Sequence, residues 1–212
     1  MLTKSTAMQW ISKNIQQLVL GVLLATGCTW AQDKPDYYYD VLGEASAGFL
    51  MPSAFGDNYI AEGYSLDPGI QIRGGIRVDP KLLLGGDFQF YYGRVTNPEI
   101  TGAFRGSNIR RLMVFGQYNL LDERSDLAVQ AGLEFGVVIL DNHIAAEEFR
   151  DDGISTGLSL DVSYRFSTTF GVYAHGLLVR DWMNIKTAPG LEDSFKRVDY
   201  FIPSVGIRLY IR

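Results

Sequence analysis

Two histidines are the only side chains in this chain that titrate near neutrality unaided. His175 has Leu177 two residues on, so no hydroxyl nucleophile stands where a strand would present it on the same face. His143 follows Asp141-Asn142 and opens an acidic stretch that ends at Asp151-Asp152. The stretch offers oxygen ligands of the kind divalent cations favour. It lacks the regular spacing and glycine of an EF-hand loop, so a solvated external loop is expected and no metal site. The remaining chemistry lies in charges. Glu44, Arg73, Arg77, Asp87, Arg111, Glu134, Asp161, Arg165 and Arg208 alternate with aliphatic or aromatic neighbours. Enclosed charges must pair, and arginine suits pairing through its bidentate fork. His175 shares their face and is expected to be a hydrogen-bonding group of the interior. No catalytic residue or cofactor site follows from these patterns. The Gly-Gly pairs at 74–75 and 85–86 sit inside alternating segments, as bends or close contacts and not phosphate loops.

The elements that must hold these charges are strands. Period-2 alternation recurs eight times, at 41–51, 69–78, 82–93, 109–119, 127–140, 154–166, 170–182 and 199–211. In the second, Ile70, Ile72, Ile76 and Val78 alternate with Gln71, Arg73, Gly75 and Arg77. In the fourth, Phe115 falls among the polar set, so the register is expected to break there first. The connections alternate in length: 79–81, 121–126 and 167–169 are turns, whereas 52–68, 94–108, 141–153 and 183–198 are long. Rings cluster near strand ends. Tyr118, Tyr164, Phe166, Phe170 and Tyr210 are expected at one membrane interface, and Tyr91, Tyr92, Trp182 and Tyr200 at the other.

The polar faces carry no lysine; Lys34, Lys81, Lys186 and Lys196 fall in tails, turns or loops. A face of Arg, Asp, Glu, Gln, Ser and Gly is an enclosed face, which leaves the greasy one outside. That inversion predicts an all-β fold: an eight-stranded antiparallel up-and-down transmembrane β-barrel, apolar-out and polar-in. A soluble lipocalin-like barrel would need the opposite arrangement. Eight strands leave an interior just wide enough for side chains, so the inward charges are expected to form a connected network that closes the barrel to ions.

Residues 1–31 have the pattern of a cleaved signal peptide. Lys4 and Lys13 are its basic region, Leu18–Ala25 its apolar core and Thr29-Trp30-Ala31 its cleavage site. Ala25-Thr-Gly-Cys28 vaguely resembles a lipoprotein box, but the chain's one cysteine is expected to leave with the leader. A lead-in at 32–40 and a barrel domain at 41–212 follow. The leader holds two of the 19 basic residues and none of the 24 acids, so its removal takes the net charge from −5 to −7. That balance excludes a nucleic-acid partner. The 23 glycines and 13% aromatic residues suit closely packed strands with interfacial rings.

From the leader 1–31, the strand pairs and the last strand Val205-Gly-Ile-Arg-Leu-Tyr-Ile-Arg212, the chain resembles the small outer-membrane β-barrel family containing the OmpA transmembrane domain and OmpX. The resemblance implies an outer-membrane location, contact with outer-membrane lipid and lipopolysaccharide, passage through the barrel-insertion machinery, and a monomer. It implies a structural or surface-interaction role through long external loops, with no enzymatic activity. Members commonly end on an aromatic residue that the insertion machinery reads, whereas here Tyr210 precedes a terminal Arg212. Some barrels of this size are lipid A-modifying enzymes that use a His-x-Ser pair, a spacing Leu177 breaks. A lipid A-modifying enzyme and a narrow small-solute channel are the alternatives.

Overall fold

The computed structural model describes residues 41–102, 104–121, 125–144, 147–185 and 192–212. The leader, Cys28, the lead-in 32–40 and Lys186 lie outside the described residues. In chain order the elements are β1 (Gly43–Leu50), β2 (Ser53–Phe55), α1 (Tyr59–Gly63), β3 (Tyr64–Leu66), β4 (Gly69–Asp79) and β5 (Leu82–Val95). Then come α2 (Pro98–Thr101), β6 (Gly106–Asn119), β7 (Leu127–Ile144), β8 (Glu147–Arg165), β9 (Phe170–Met183), α3 (Glu192–Lys196) and β10 (Arg197–Ile211).

Eight of the strands form a closed cylinder. β4 to β10 pair antiparallel in sequence order, and β1 joins both ends by pairing with β4 and with β10. Closure leaves no open sheet edge, which is what a membrane-spanning sheet requires. The three-residue strands β2 and β3 extend β10 and β5 at the end where the long loops lie. No helix among the described residues is long and apolar enough to cross a membrane.

Turn chemistry fixes the opposite end. The Asp79 carboxylate accepts from the Lys81 amide at 3.0 Å. The Ser167 hydroxyl accepts from the Thr169 and Phe170 amides at 3.3 and 2.8 Å. Such local bonds satisfy turn amides in place of the ladder.

Each predicted strand coincides with an observed one, but the loops differ. The stretch 141–153 is not a loop: β7 runs on to Ile144 and β8 begins at Glu147, with Asp141↔Arg150 and Asn142↔Phe149 in register. The other three long connections carry β2, α1, β3, α2 and α3. The register does not break at Phe115. It continues unbroken through β6 on both sides, and the shift falls instead between Arg77 and Asp79. Phe115 faces Gly85 across the β5–β6 pair, and a side chain on Gly85 would meet the Phe115 ring at 2.5 Å. The missing side chain makes the ring's inward place.

Over most of its height the barrel is greasy outside and polar inside. Leu133, Leu158 and Ile207 are more than 60% exposed, while Gln71, Gln89, Asp87 and Asp161 are buried. The ten steps from Phe201 to Ile211 on β10, at about 3.3 Å each and tilted about 40°, rise about 25 Å, the height of an apolar membrane band. Toward the loop end the two faces exchange character. Inward residues become Leu50, Ile109, Val138, Leu140, Val179, Val198 and Ile202, a dry cluster sealed by Tyr59 and Ile60 of α1. Outward residues become Arg110, Asp141, Arg150, Arg180 and Asp199. The expectation of a polar interior along the whole barrel is corrected here. Above the band the outer wall meets water, so the ordinary apolar-in arrangement of a soluble domain takes over.

The level of this exchange is testable by arginine placed on one outward row of β8. Leu160→Arg, within the band, is expected to cost about 2–4 kcal/mol of folding free energy in bilayers. Asp152→Arg, above it, should cost about 0–1 kcal/mol. Denaturant titration of refolded barrels reads both, and equal costs would remove the assigned boundary.

Candidate functional site in the barrel lumen

The lumen is filled by two layers. The lower one converges on Arg73 of β4. Its Nη2 donates to Glu134 Oε1 of β7 at 2.9 Å, and its other nitrogens lie 3.8 Å from Asp87 Oδ2 and 3.9 Å from Asp161 Oδ2. The Phe115 ring covers the guanidinium at 4.3 Å. Arg208 of β10 donates to Asp161 Oδ2 at 2.7 Å and lies 3.4 Å from Glu44 Oε2 of β1, with the Tyr173 ring 5.1 Å away. Arg77 reaches the same Glu44 at 4.0 Å from the turn end. Amides extend the net: Gln71 and Gln89 donate to Asp87 at 2.8 and 3.0 Å, and Ser204 donates to Gln71 Oε1 at 2.6 Å. These carboxylates and guanidiniums sit out of bulk water, so each depends on its partners to offset lost hydration.

The upper layer is apolar around one ion pair. Arg111 of β6 and Asp181 of β9 are fully buried and joined by two bonds of 3.3 and 2.6 Å. Ser155 donates to the same aspartate at 2.6 Å, and Arg111 donates to the Tyr91 hydroxyl at 2.5 Å. The Tyr200 ring stacks on the guanidinium at 4.4 Å. Tyr91, Tyr200 and Tyr210 therefore point inward and are not interfacial rings, a correction to the expected belts. Above them the Asn58 side chain caps α1 by accepting from the Ala61 amide at 2.9 Å, which turns Tyr59 and Ile60 into the mouth. Tyr59 stacks on Phe195 of α3 at 4.5 Å. Burial pushes the Tyr59 phenol well above its ordinary range, so it stays neutral there.

Of the nine charges expected in the lumen, the structure brings Glu44, Arg73, Asp87, Glu134, Asp161 and Arg208 together, with Arg77 at their edge. Arg111 belongs to the separate upper pair. Arg165 lies at the turn end, its guanidinium 4.0 Å over the Tyr210 ring. Asp181 was missing from the expected set. Extending the odd-numbered inward series of Tyr173 and His175 along β9 would have reached it.

His175 is buried between Glu134, 3.3 Å from its Nε2, and Ser204, 3.5 Å from its Nδ1. The order serine, histidine, carboxylate is that of a hydrolase triad. The Ser204 proton, however, is donated to Gln71, and all three residues are under 4% exposed. Nucleophilic attack needs that proton on the histidine and a substrate within reach. Leu177 is fully buried on the same inward face. His143 is an outward residue of β7, its Nε2 2.9 Å from Asn108 Nδ2. The acidic stretch around it is tied up in pairs: Asp141 with Arg110 and Arg150, and Asp151 with Asn142. Among the described residues no three His, Cys, Asp or Glu side chains are grouped to hold a metal.

No protein-family model and no curated protein matches the chain. Solved structures do. The Neisserial surface protein A (NspA) is 16% identical with a TM-score of 0.55, over 80% of this chain and 96% of that one. The outer membrane protein OprG of Pseudomonas aeruginosa is 11% identical with a TM-score of 0.54, over 81% of this chain and 96% of that one. At such identities the likeness shows the fold, which is that of the small outer-membrane β-barrels.

The Arg111–Asp181 pair gives the sharpest stability test. Asp181→Ala leaves a guanidinium stranded in an apolar layer and is expected to cost about 3–5 kcal/mol, whereas Arg111→Met with Asp181→Leu should recover most of it. Thermal unfolding in one detergent compares them, and a double variant no better than Asp181→Ala alone would contradict the stranded-charge explanation.

Proposed function

We propose that this chain is a non-enzymatic outer-membrane protein, exported through its leader, whose closed barrel is a scaffold for a surface-interaction role at the loop end. The observation that carries this is the filled lumen: a charge network below, an apolar core with a buried ion pair above, and α1 over the mouth. A solute path would have to break both layers. A catalyst working from Ser204, His175 and Glu134 would need a substrate to enter the same packed space. The apolar band faces outer-membrane lipid and lipopolysaccharide on every strand, which favours a monomer delivered by the barrel-insertion machinery. What projects beyond the band is water-facing: the β7–β8 hairpin, the three helices and the ion pairs Arg94–Asp67, Arg110–Asp141 and Arg180–Asp199. Exposed elements on a rigid scaffold are where recognition is carried, and one fold neighbour is named a surface protein.

Two measurements test the proposal against its alternatives. In planar bilayers the folded protein is expected to give no unitary conductance steps, and reproducible steps would favour the small-solute channel. Envelope lipid A from cells with and without the protein is expected to have the same mass spectrum. A mass change equal to one acyl chain would favour the lipid A-modifying enzyme.

A further inference from the structure

The outer wall is not smooth. A trough of about 570 Å³ lies over β8 at the upper edge of the apolar band. Its origin is local. On the outward row that runs from Phe135 through Thr156 and Arg180 to Asp199, Thr156 is the short side chain. Arg180 is drawn away from it by a side-on bond pair to Asp199, Nε to Oδ1 at 2.7 Å and Nη2 to Oδ2 at 3.0 Å. The space left between is walled by Leu133, Phe135, Leu158, Leu178 and Trp182.

We infer that this trough holds a phospholipid of net negative charge in preference to a zwitterionic one, with an acyl chain along Leu133, Leu158 and Leu178 and the phosphate at Arg180. The inference rests on the outer-membrane placement proposed above. In a bilayer an apolar dent facing hydrocarbon is filled by a lipid chain, because an empty one forfeits the dispersion contacts of its lining. The polar end is set by the geometry of the Arg180 pair. A guanidinium that spends Nε–H and one Nη2 hydrogen on one carboxylate has the other Nη2 hydrogen and both Nη1 hydrogens left, and Arg180 and Thr156 both line the trough. Phosphate oxygen is the acceptor that a planar guanidinium recognises best besides carboxylate. The Thr156 hydroxyl adds a donor on the same strand row. The Asp199 carboxylate holds the arginine in place, and it also limits selectivity to what the three remaining guanidinium hydrogens contribute.

Trp182 lies beyond Arg180 toward the loop end, so the probe is a tryptophan placed at Leu133, on the wall where the acyl chain runs. The chain has three tryptophans, so replacing Trp10, Trp30 and Trp182 by phenylalanine together with Leu133→Trp leaves one indole in the full-length protein. The protein is refolded into phosphatidylcholine vesicles doped with acyl-brominated phosphatidylglycerol or acyl-brominated phosphatidylcholine, and quenching of that indole is followed against mole fraction. The anionic lipid is expected to quench at a several-fold lower mole fraction. Arg180→Gln should move its curve onto that of the zwitterionic lipid, and Thr156→Phe, which fills the trough from the outside, should raise the midpoint for both. Coincident curves in the parent protein would overturn the trough site and leave an ordinary lipid annulus. No quenching by either lipid, in a protein whose folded barrel is verified by heat-modifiable gel migration, would instead overturn the membrane placement.

Discussion

Closing eight strands into a cylinder leaves a lumen that side chains alone fill, and every other feature answers to that limit. Each inward residue must find its partners among the few others that point inward at the same height. Backbone groups within the eight strands make little demand, because the closed ladder pairs them with few interruptions. Side chains therefore decide whether the barrel holds. At the level of Arg73 three carboxylates surround one guanidinium, and Arg208 with Arg77 serves Glu44. Four acids against three arginines make a net in which bridging by amides and hydroxyls is needed, and Gln71, Gln89, Ser163 and Ser204 supply it. Removal of one partner strands a charge, which is why such nets are fragile to truncation even where their net stabilisation is small.

The second constraint is that one strand crosses two solvents. Against hydrocarbon the outer face must be apolar, and the hydrophobic effect contributes nothing to filling the inside. Above the membrane water returns, and apolar burial inside becomes favourable again. β9 shows the exchange on a single strand: Tyr173 and His175 point in below, Val179 points in above, and Arg180 takes the outward row that Leu178 occupied one repeat earlier. The Arg111–Asp181 pair sits just past this boundary. Two tyrosines and a serine satisfy it, so the apolar layer can carry a charge pair without an opening to water.

The barrel was legible in the sequence because period-2 alternation and a lysine-free polar face are properties of single strands. Strand number, register parity and the inward side of Glu44, Arg73, Asp87, Glu134, Asp161 and Arg208 follow from them. What stayed hidden depends on which residues meet across strands. Phe115 looked like a register fault until Gly85 stood opposite it. The acidic stretch at 141–153 looked like a loop because its composition is polar on both faces, and only its register with β6 and across β7–β8 makes it strand. Inward Tyr91 and Tyr200 were mistaken for interfacial rings because an aromatic residue near a strand end suits either a membrane interface or a cap interior. The separation of Arg111 from the lower network was invisible for the same reason: its partner, Asp181, lies 70 residues away.

Ser204, His175 and Glu134 show why arrangement alone does not make a site. Their order copies a triad, yet the space that brings them together is the space that excludes a substrate, and the serine proton is committed elsewhere. In a filled barrel the enclosure that makes polar groups meet also denies them a ligand. The surfaces that remain open are the two the lumen does not occupy. One is the water-facing cap, where β7–β8 and the helices project. The other is the lipid-facing wall, where a single short residue, Thr156, beside an arginine turned aside, leaves room for something the chain itself does not provide.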